Sequence, residues 1–316
     1  MPKFQIRHVT RYKYEVPVRD SANQIMLFPV KDDFQQVLQH DFLISGDPKV
    51  ETHRDYFGNE VGTFSHVQPH DELLIDSRLT VVTKKKLLPE EFPSASNQWE
   101  EIMQVQNLPP HVDFLKNETI AALKELRQII KNFKQNNPTP LQLAWQLNEF
   151  VYKTFAYQKG ITTVESTVDE ILRLKSGVCQ DFAHVLLAML RESNIPARYV
   201  SGYICPNRSG MRGEGATHAW VEAYIPFYGW LGLDPTNNCM VNEMHVRLAV
   251  GKNFTDCSPV KGTYRGTAEH SLEVMVTVGY EDGHVIEGVN EVDEGPSIFK
   301  SEAKNSYRRH VEMQQQ

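Results

Sequence analysis

Cysteine is scarce in this 316-residue chain: the four that occur, Cys179, Cys205, Cys239 and Cys257, include no C-x-x-C pair. A disulfide framework or a structural zinc cluster needs more cysteine at tighter spacing, so free thiols are expected and each must be judged alone. No run approaches the ~18 unbroken apolar residues of a membrane helix, and a soluble protein with no membrane partner is expected. Positive charge is not in excess: 33 Lys and Arg stand against 40 Asp and Glu, a net charge of −7. That balance argues against a nucleic-acid partner, whose binding face would be basic. The opening residues, Met1 to His8, alternate like a strand and lack the basic-then-apolar pattern of a signal peptide, so a cytoplasmic location is expected. A glycine-rich phosphate loop, a metal-binding helix motif and an internal repeat are missing too, and neither a metal nor an organic cofactor is predicted. Oligomeric state leaves no signal.

What is present is length and pattern. At roughly 150 residues per domain the chain has room for two. Residues 1–86 carry period-2 runs, such as Tyr12, Tyr14 and Val16 or Leu79, Val81 and Thr83, which predict an antiparallel β domain. Within it Asp55-Tyr56-Phe57-Gly58-Asn59 reads as a hairpin with a purely geometric role, and Lys84-Lys85-Lys86 as the solvated end of a strand. Residues 87–117, richer in proline, form a partly helical linker. Residues 118–286 form a second domain. Its first helices follow the three- and four-residue spacing of Ile120, Leu123, Leu126, Ile129, Ile130 and Phe133, and then of Leu143, Leu147, Phe150, Val151 and Phe155. Near its end Leu272, Val274, Val276 and Val278 alternate as a strand closed by Glu281-Asp282-Gly283. Residues 287–316 read as a polar tail, partly disordered.

Chemistry concentrates in the second domain. Phe182, Val185, Leu186, Met189 and Leu190 recur at helical spacing, and the helix they define opens at Cys179, with Ser176 and Gly177 as expected cap residues. In that first turn the unpaired N–H groups and the positive end of the macrodipole favour a thiolate. The alternative is a buried, inert cysteine. Further on, Thr217 to Ile225 and Trp230 to Asp234 read as strands joined by the turn Pro226-Phe227-Tyr228-Gly229. Pairing residue 225 with 229 sets His218 opposite residue 236 and one diagonal step from Asp234 on the same face; a one-residue slip would separate them. Cysteine, histidine and carboxylate so placed have the geometry of a relay, although a lone histidine could equally be structural.

Gly177-Val178-Cys179-Gln180-Asp181-Phe182-Ala183-His184, Ile195 to Tyr203, Thr217 to Glu222 and Leu233-Asp234-Pro235-Thr236-Asn237 resemble the transglutaminase-like core. More narrowly, they are similar to the bacterial transglutaminase-like proteins, cysteine-protease relatives, that place an N-terminal β domain before that core. His8-x-Thr10-x-Tyr12-x-Tyr14 and Asp55-x-x-Gly58-Asn59 resemble the N-terminal domain of that family. The resemblance implies an α+β fold: a papain-like core, its cysteine helix packed on an antiparallel sheet, after an antiparallel β domain. It also implies that Cys179 is the nucleophile, His218 the general acid and base, and Asp234 the residue that orients the imidazole.

Other residues keep two readings each. Gln180 and Asp181 either orient substrate or cap the helix, and Tyr203 and Trp220 are either cleft wall or core. Arg208 and Arg212 lie in a glycine-rich stretch ending beside His218, which is either a rim that meets a substrate carboxylate or a plain exposed loop. Cys205 and Cys239 are either packing thiols or redox partners of Cys179, and His184, off the face of Cys179, is a packing residue. The expected partner is a peptide or protein substrate and the expected activity thiol-dependent hydrolysis of an amide or isopeptide bond. Transfer to an amine by the same triad is the alternative, and a non-catalytic binding module the third. The calcium-dependent cross-linking enzymes carry dense acidic loops that this sequence does not show, which favours hydrolysis.

Overall fold

The computed structural model describes residues 1–88, 92–205, 212, 217–280 and 285–291. Five strands open the chain: β1 (Lys3–Ile25), β2 (Gln35–Ile44), β3 (Glu51–Arg54), β4 (Glu60–His66) and β5 (His70–Thr83). Helix α1 (Ala95–Val105), a 3-10 turn at His111–Leu115, α2 (Leu123–Lys134) and α3 (Pro140–Thr154) lead to β6 (Ala156–Tyr157), α4 (Val168–Leu174), β7 (Ser176–Gly177) and α5 (Cys179–Glu192). The second sheet follows as β8 (Ala197–Ile204), β9 (Thr217–Ile225), β10 (Gly229–Asp234), β11 (Cys239–Met240) and β12 (His245–Gly251). After α6 (Phe254–Cys257) come β13 (Val260–Arg265), β14 (His270–Tyr280) and β15 (Val285–Glu291).

The long β1 serves two sets of partners. Its first half lies between β5 and β14, antiparallel to both, and its second half between β4 and β13. The fold is thus α+β, a helix-and-sheet core after an antiparallel β domain, but that β domain is not closed by residues 1–86 alone. The last three strands, read from the sequence as the end of the core and the start of a polar tail, complete its sheet, with β15 pairing β14. Leu272, Val276 and Val278 bury against Phe4, Ile6 and Tyr12, so the apolar face that the alternation reveals belongs to the first domain's core. Alternation shows that a strand has a buried face; it carries no information about which sheet supplies the cover. The predicted turn at 281–283 and residues 292–316 lie outside the described residues.

Around α5 the core is helical on one side and sheet on the other. Phe182 and Leu186 are fully buried, and the helix packs against β9, whose Ala219, Val221 and Ala223 share its cluster with Leu143 and Leu147 of α3. α3 begins at a capping box: Thr139 and Gln142 exchange side-chain-to-backbone hydrogen bonds, and Pro140 opens the first turn. α2 starts later than the spacing predicts. Asp169, from the first turn of α4, accepts from the N–H groups of Ala121 and Ala122, a cap supplied from a distant segment.

Polar contacts fasten the domains together. The buried His8 ring meets the Tyr203 hydroxyl at 2.9 Å, and burial lowers the His8 pKa to about 4, which keeps the ring neutral. At the predicted hairpin, Asp55 accepts from the backbone of Phe57 and Asn59, while the Asn59 amide pairs with Val250 of β12 as a strand would, donating to its carbonyl at 2.7 Å and accepting from its N–H at 2.8 Å. The hairpin is therefore a clamp as well as a turn. Asn59→Ala leaves both Val250 groups unpaired, and urea denaturation should show a loss of about 2 kcal/mol.

Candidate active site

The hairpin of β9 and β10 has the register that puts His218 and Asp234 on one face: Gly229 pairs with Ile225, and Leu233 with Val221. The His218 Nε2 donates to Asp234 Oδ2 at 2.8 Å with both side chains fully buried. The second carboxylate oxygen accepts from the backbone N–H groups of Thr236 and Asn237, and Oδ2 also accepts from the Asn237 side chain at 2.8 Å. Burial would raise the Asp234 pKa, but the charge and hydrogen bond of His218, with a hydrogen bond from His245 of β12, outweigh it and hold the carboxyl far below the usual range. Burial by itself would lower the His218 pKa. The Asp234 charge and hydrogen bond, helped by Cys179, reverse that and raise it to about 10. With Nε2 committed to Asp234, the buried Nδ1 makes no complete hydrogen bond of its own and is the nitrogen left for the Cys179 thiol.

Cys179 stands half-buried in the first turn of α5. The cap is one residue later than expected. Val178, not Ser176 or Gly177, is the N-cap residue, and the Asp181 carboxylate turns back to accept from the Val178 N–H at 2.7 Å and from Thr162 Oγ1 at 2.7 Å. Of its two readings Asp181 thus fills the capping one, and it is not free to hold substrate. Gly177 is required here: a Cβ on it would sit 2.3 Å from Asp181 Oδ2. Asp181→Ala should cost about 1–2 kcal/mol by thermal melting and loosen the turn that carries Cys179.

Residues 127–235 match the transglutaminase-like superfamily, and residues 4–82 match the bacterial transglutaminase-like N-terminal region. ML0607, an uncharacterized protein of Mycobacterium leprae, is 32% identical over 291 residues, which cover 88% of this chain and 99% of that protein. The chain belongs to the transglutaminase-like superfamily. The superfamily includes cysteine proteases and transglutaminases, typically thiol enzymes. A protein-glutamine gamma-glutamyltransferase of Pseudomonas aeruginosa is 33% identical over 118 residues, 35% of this chain and 18% of that enzyme. The fold matches a crystal structure named "Putative Cysteine Protease from Cytophaga hutchinsonii" with a TM-score of 0.68 and 18% identity, covering 95% of this chain and 94% of that one.

The remaining predicted residues disperse. Tyr203 is buried in the first domain's core with its hydroxyl on His8, so it is no cleft wall. Trp220 is fully buried beside Val200 and Val250 and belongs to the core as well. Gln180, next to Cys179, is buried. Arg208 lies outside the described residues, as does most of the stretch before His218. Arg212 is described: its backbone bonds Asn237, itself a donor to Asp234, and its guanidinium lies 4.5 Å over the Tyr152 ring. Cys205 and Cys239 are free thiols whose pKa values burial raises, that of Cys239 to about 12. His184 packs against the Tyr199 ring and accepts from the Phe254 N–H.

Two neighbours of the site escape sequence reasoning. Tyr157, on β6, pairs with Gly177 of β7 two residues before Cys179, and burial, helped by Cys179, raises its hydroxyl pKa. His245 brings Nε2 to 3.4 Å from Asp234 Oδ2, while the Asn242 N–H donates to its Nδ1. The strand order β9-β8-β12 carries His245 across to His218, and Gly202 of β8 allows it, because a Cβ there would lie 2.1 Å from the Val246 carbonyl and 2.5 Å from Trp220. No spacing in the sequence announces that crossing; only the strand order does.

Proposed function

We propose that the protein is a cysteine peptidase or amidase that works through an acyl-enzyme, with Cys179, His218 and Asp234 as its triad. The observation that carries this reading is the buried His218 imidazole, held by Asp234 on Nε2, with Cys179 as the neighbour on its other side. A ring whose pKa is raised to about 10 is cationic at neutral pH and can hold the sulfur as a thiolate. The thiolate adds to the amide carbonyl, and the oxyanion formed can take a hydrogen bond from the Cys179 N–H at the start of α5. As the tetrahedral adduct collapses, His218 passes its Nδ1 proton to the departing amine. The neutral ring then takes a proton from water, which attacks the thioester and releases the carboxylic acid and the free enzyme. The substrate under this reading is a peptide or protein amide.

Transfer of the acyl group to an amine is the second reading, favoured by the named activity of the Pseudomonas aeruginosa relative. The two share every step up to the thioester. Glutamine-containing peptide libraries, incubated with and without a primary amine and read by mass spectrometry, separate them. Hydrolysis predicts a cut chain, or a glutamine converted to glutamate as water enters and ammonia leaves, whether or not amine is present; transfer predicts the amine incorporated in place of the departing ammonia. No product from wild type, or product undiminished in Cys179→Ala, would exclude both.

A further inference from the structure

A pocket of about 400 Å³ lies between the two domains on the face of the second sheet that carries Trp220 and Glu222; its lining includes His245, the neighbour of Asp234, and does not include Cys179. Its charged lining is unequal. Lys84, Lys86, Arg198 and Arg247 face two carboxylates, Asp32 and Glu222. Both arginines are spent on those carboxylates: Arg198 and Arg247 grip Glu222 at 2.6 and 2.9 Å, and Arg247 also reaches Asp32. The lysines have no such partner among the described residues. Lys86 donates only to the Tyr228 carbonyl, at 3.2 Å, and lies 4.0 Å over the Tyr228 ring. Burial lowers its pKa, the cost of a cation kept in a partly closed space.

The unspent polar atoms on the lining point the same way. Trp220 Nε1, on a fully buried side chain, and Arg247 Nε are both buried without a hydrogen-bond partner, and both are donors. Surplus positive charge and surplus donors call for an acceptor of negative charge. The walls are flat and apolar, with Tyr228 under Lys86 and Trp230 under Arg198, whose guanidinium lies 4.3 Å over the indole. We propose that this pocket binds a small organic anion, an oxyanion headgroup on a planar body, with Lys86 as its principal charged contact. The strand-end lysines of the Lys84-Lys85-Lys86 run then belong partly to a binding site, where the sequence alone suggests only a solvated end.

Calorimetry on the full chain tests this with phenyl phosphate, benzoate, inorganic phosphate and uncharged benzyl alcohol as probes. An aromatic anion should bind at least about tenfold more tightly than benzyl alcohol and inorganic phosphate, with an affinity that falls as salt is added. Phenyl phosphate ahead of benzoate assigns a phosphate headgroup, and the reverse order a carboxylate. Lys86→Met should weaken binding about tenfold while Lys86→Arg retains it, and Lys84→Met, at an exposed position, should weaken it about threefold. Equal binding of benzyl alcohol, equal binding of inorganic phosphate, no binding of either aromatic anion at millimolar concentration, or affinity unchanged in both methionine variants would overturn the proposal.

Discussion

Asp234→Asn is expected to lower turnover by about four orders of magnitude while Cys179 stays in place. The carboxylate accepts at Oδ2 from His218, His245 and Asn237 together. An asparagine nitrogen in that position accepts nothing. His218 must then offer Nε2 as a lone pair to the new amide, which moves its proton to Nδ1, the nitrogen facing the thiol, and a ring in that tautomer cannot take the thiol proton. The pH dependence separates this account from simple loss of stability. In the wild type, Asp234 holds the His218 pKa at about 10, so the imidazolium that protonates the leaving amine is lost only as pH rises through that value. Without the carboxylate, burial is left to lower the pKa, and the alkaline limb of the rate profile should move down by several units. The same linkage has a stability side. The raised His218 pKa contributes stability that is complete below about 6.5 and lost as pH rises through about 10, whereas Asp234, held low, contributes above its ordinary 3.8 and loses that contribution on acidification. A variant whose alkaline limb stays near pH 10 would mean that something other than Asp234 sustains the imidazolium.

Glu222→Ala should be the most damaging single change to stability, at about 3–5 kcal/mol in urea denaturation. The side chain is buried in the middle of β9 and accepts from Arg198 on β8 and Arg247 on β12, so removing it leaves Arg198 with no carboxylate partner among the described residues and Arg247 with Asp32 alone. Burial would raise the Glu222 pKa, but the two guanidinium groups prevail and lower it to about 2. Its contribution is therefore present above the ordinary value near 4.5 and disappears as pH falls through about 2. Wild type and Glu222→Ala should converge in stability over that acid range. A loss below about 1 kcal/mol at neutral pH would show that the arginines are effectively solvated without their partner.

Local pattern made much of the candidate site legible. The helix that opens at Cys179 follows from apolar spacing, and the turn at residues 226–229 allows the β9–β10 register that brings His218 and Asp234 together; the pairing of Gly229 with Ile225 decides between that register and the one-residue slip the sequence leaves open. What pattern cannot give is pairing across long stretches of chain. β14 alternates as plainly in the sequence as in the structure, yet it lies beside β1 because that strand has an edge to cover, and only the sheet topology says so. His245 reaches Asp234 for the same reason, through the order of β9, β8 and β12. Tyr203 and Trp220 sit inside the very motifs that carry the family resemblance: alternation turns Tyr203 to the face opposite His218 and into the core, whereas Trp220, two residues on from His218, shares its face and is buried with its ring 6.2 Å from that imidazole. The capping role of Asp181, one of its two readings in the sequence, has a local signal: an acid three residues after an extended residue, at the start of an apolar helix, is half of a capping box.

The central claim is that His218 activates Cys179. Intact-mass spectrometry after limiting alkylation, from about pH 5 to about pH 9, on wild type, Cys179→Ala and His218→Ala, tests it most directly. The account predicts a single fast modification in the wild type, absent from Cys179→Ala and slowed in His218→Ala. Equal, slow labelling of the accessible cysteines in all three proteins, with no response to His218, would contradict it.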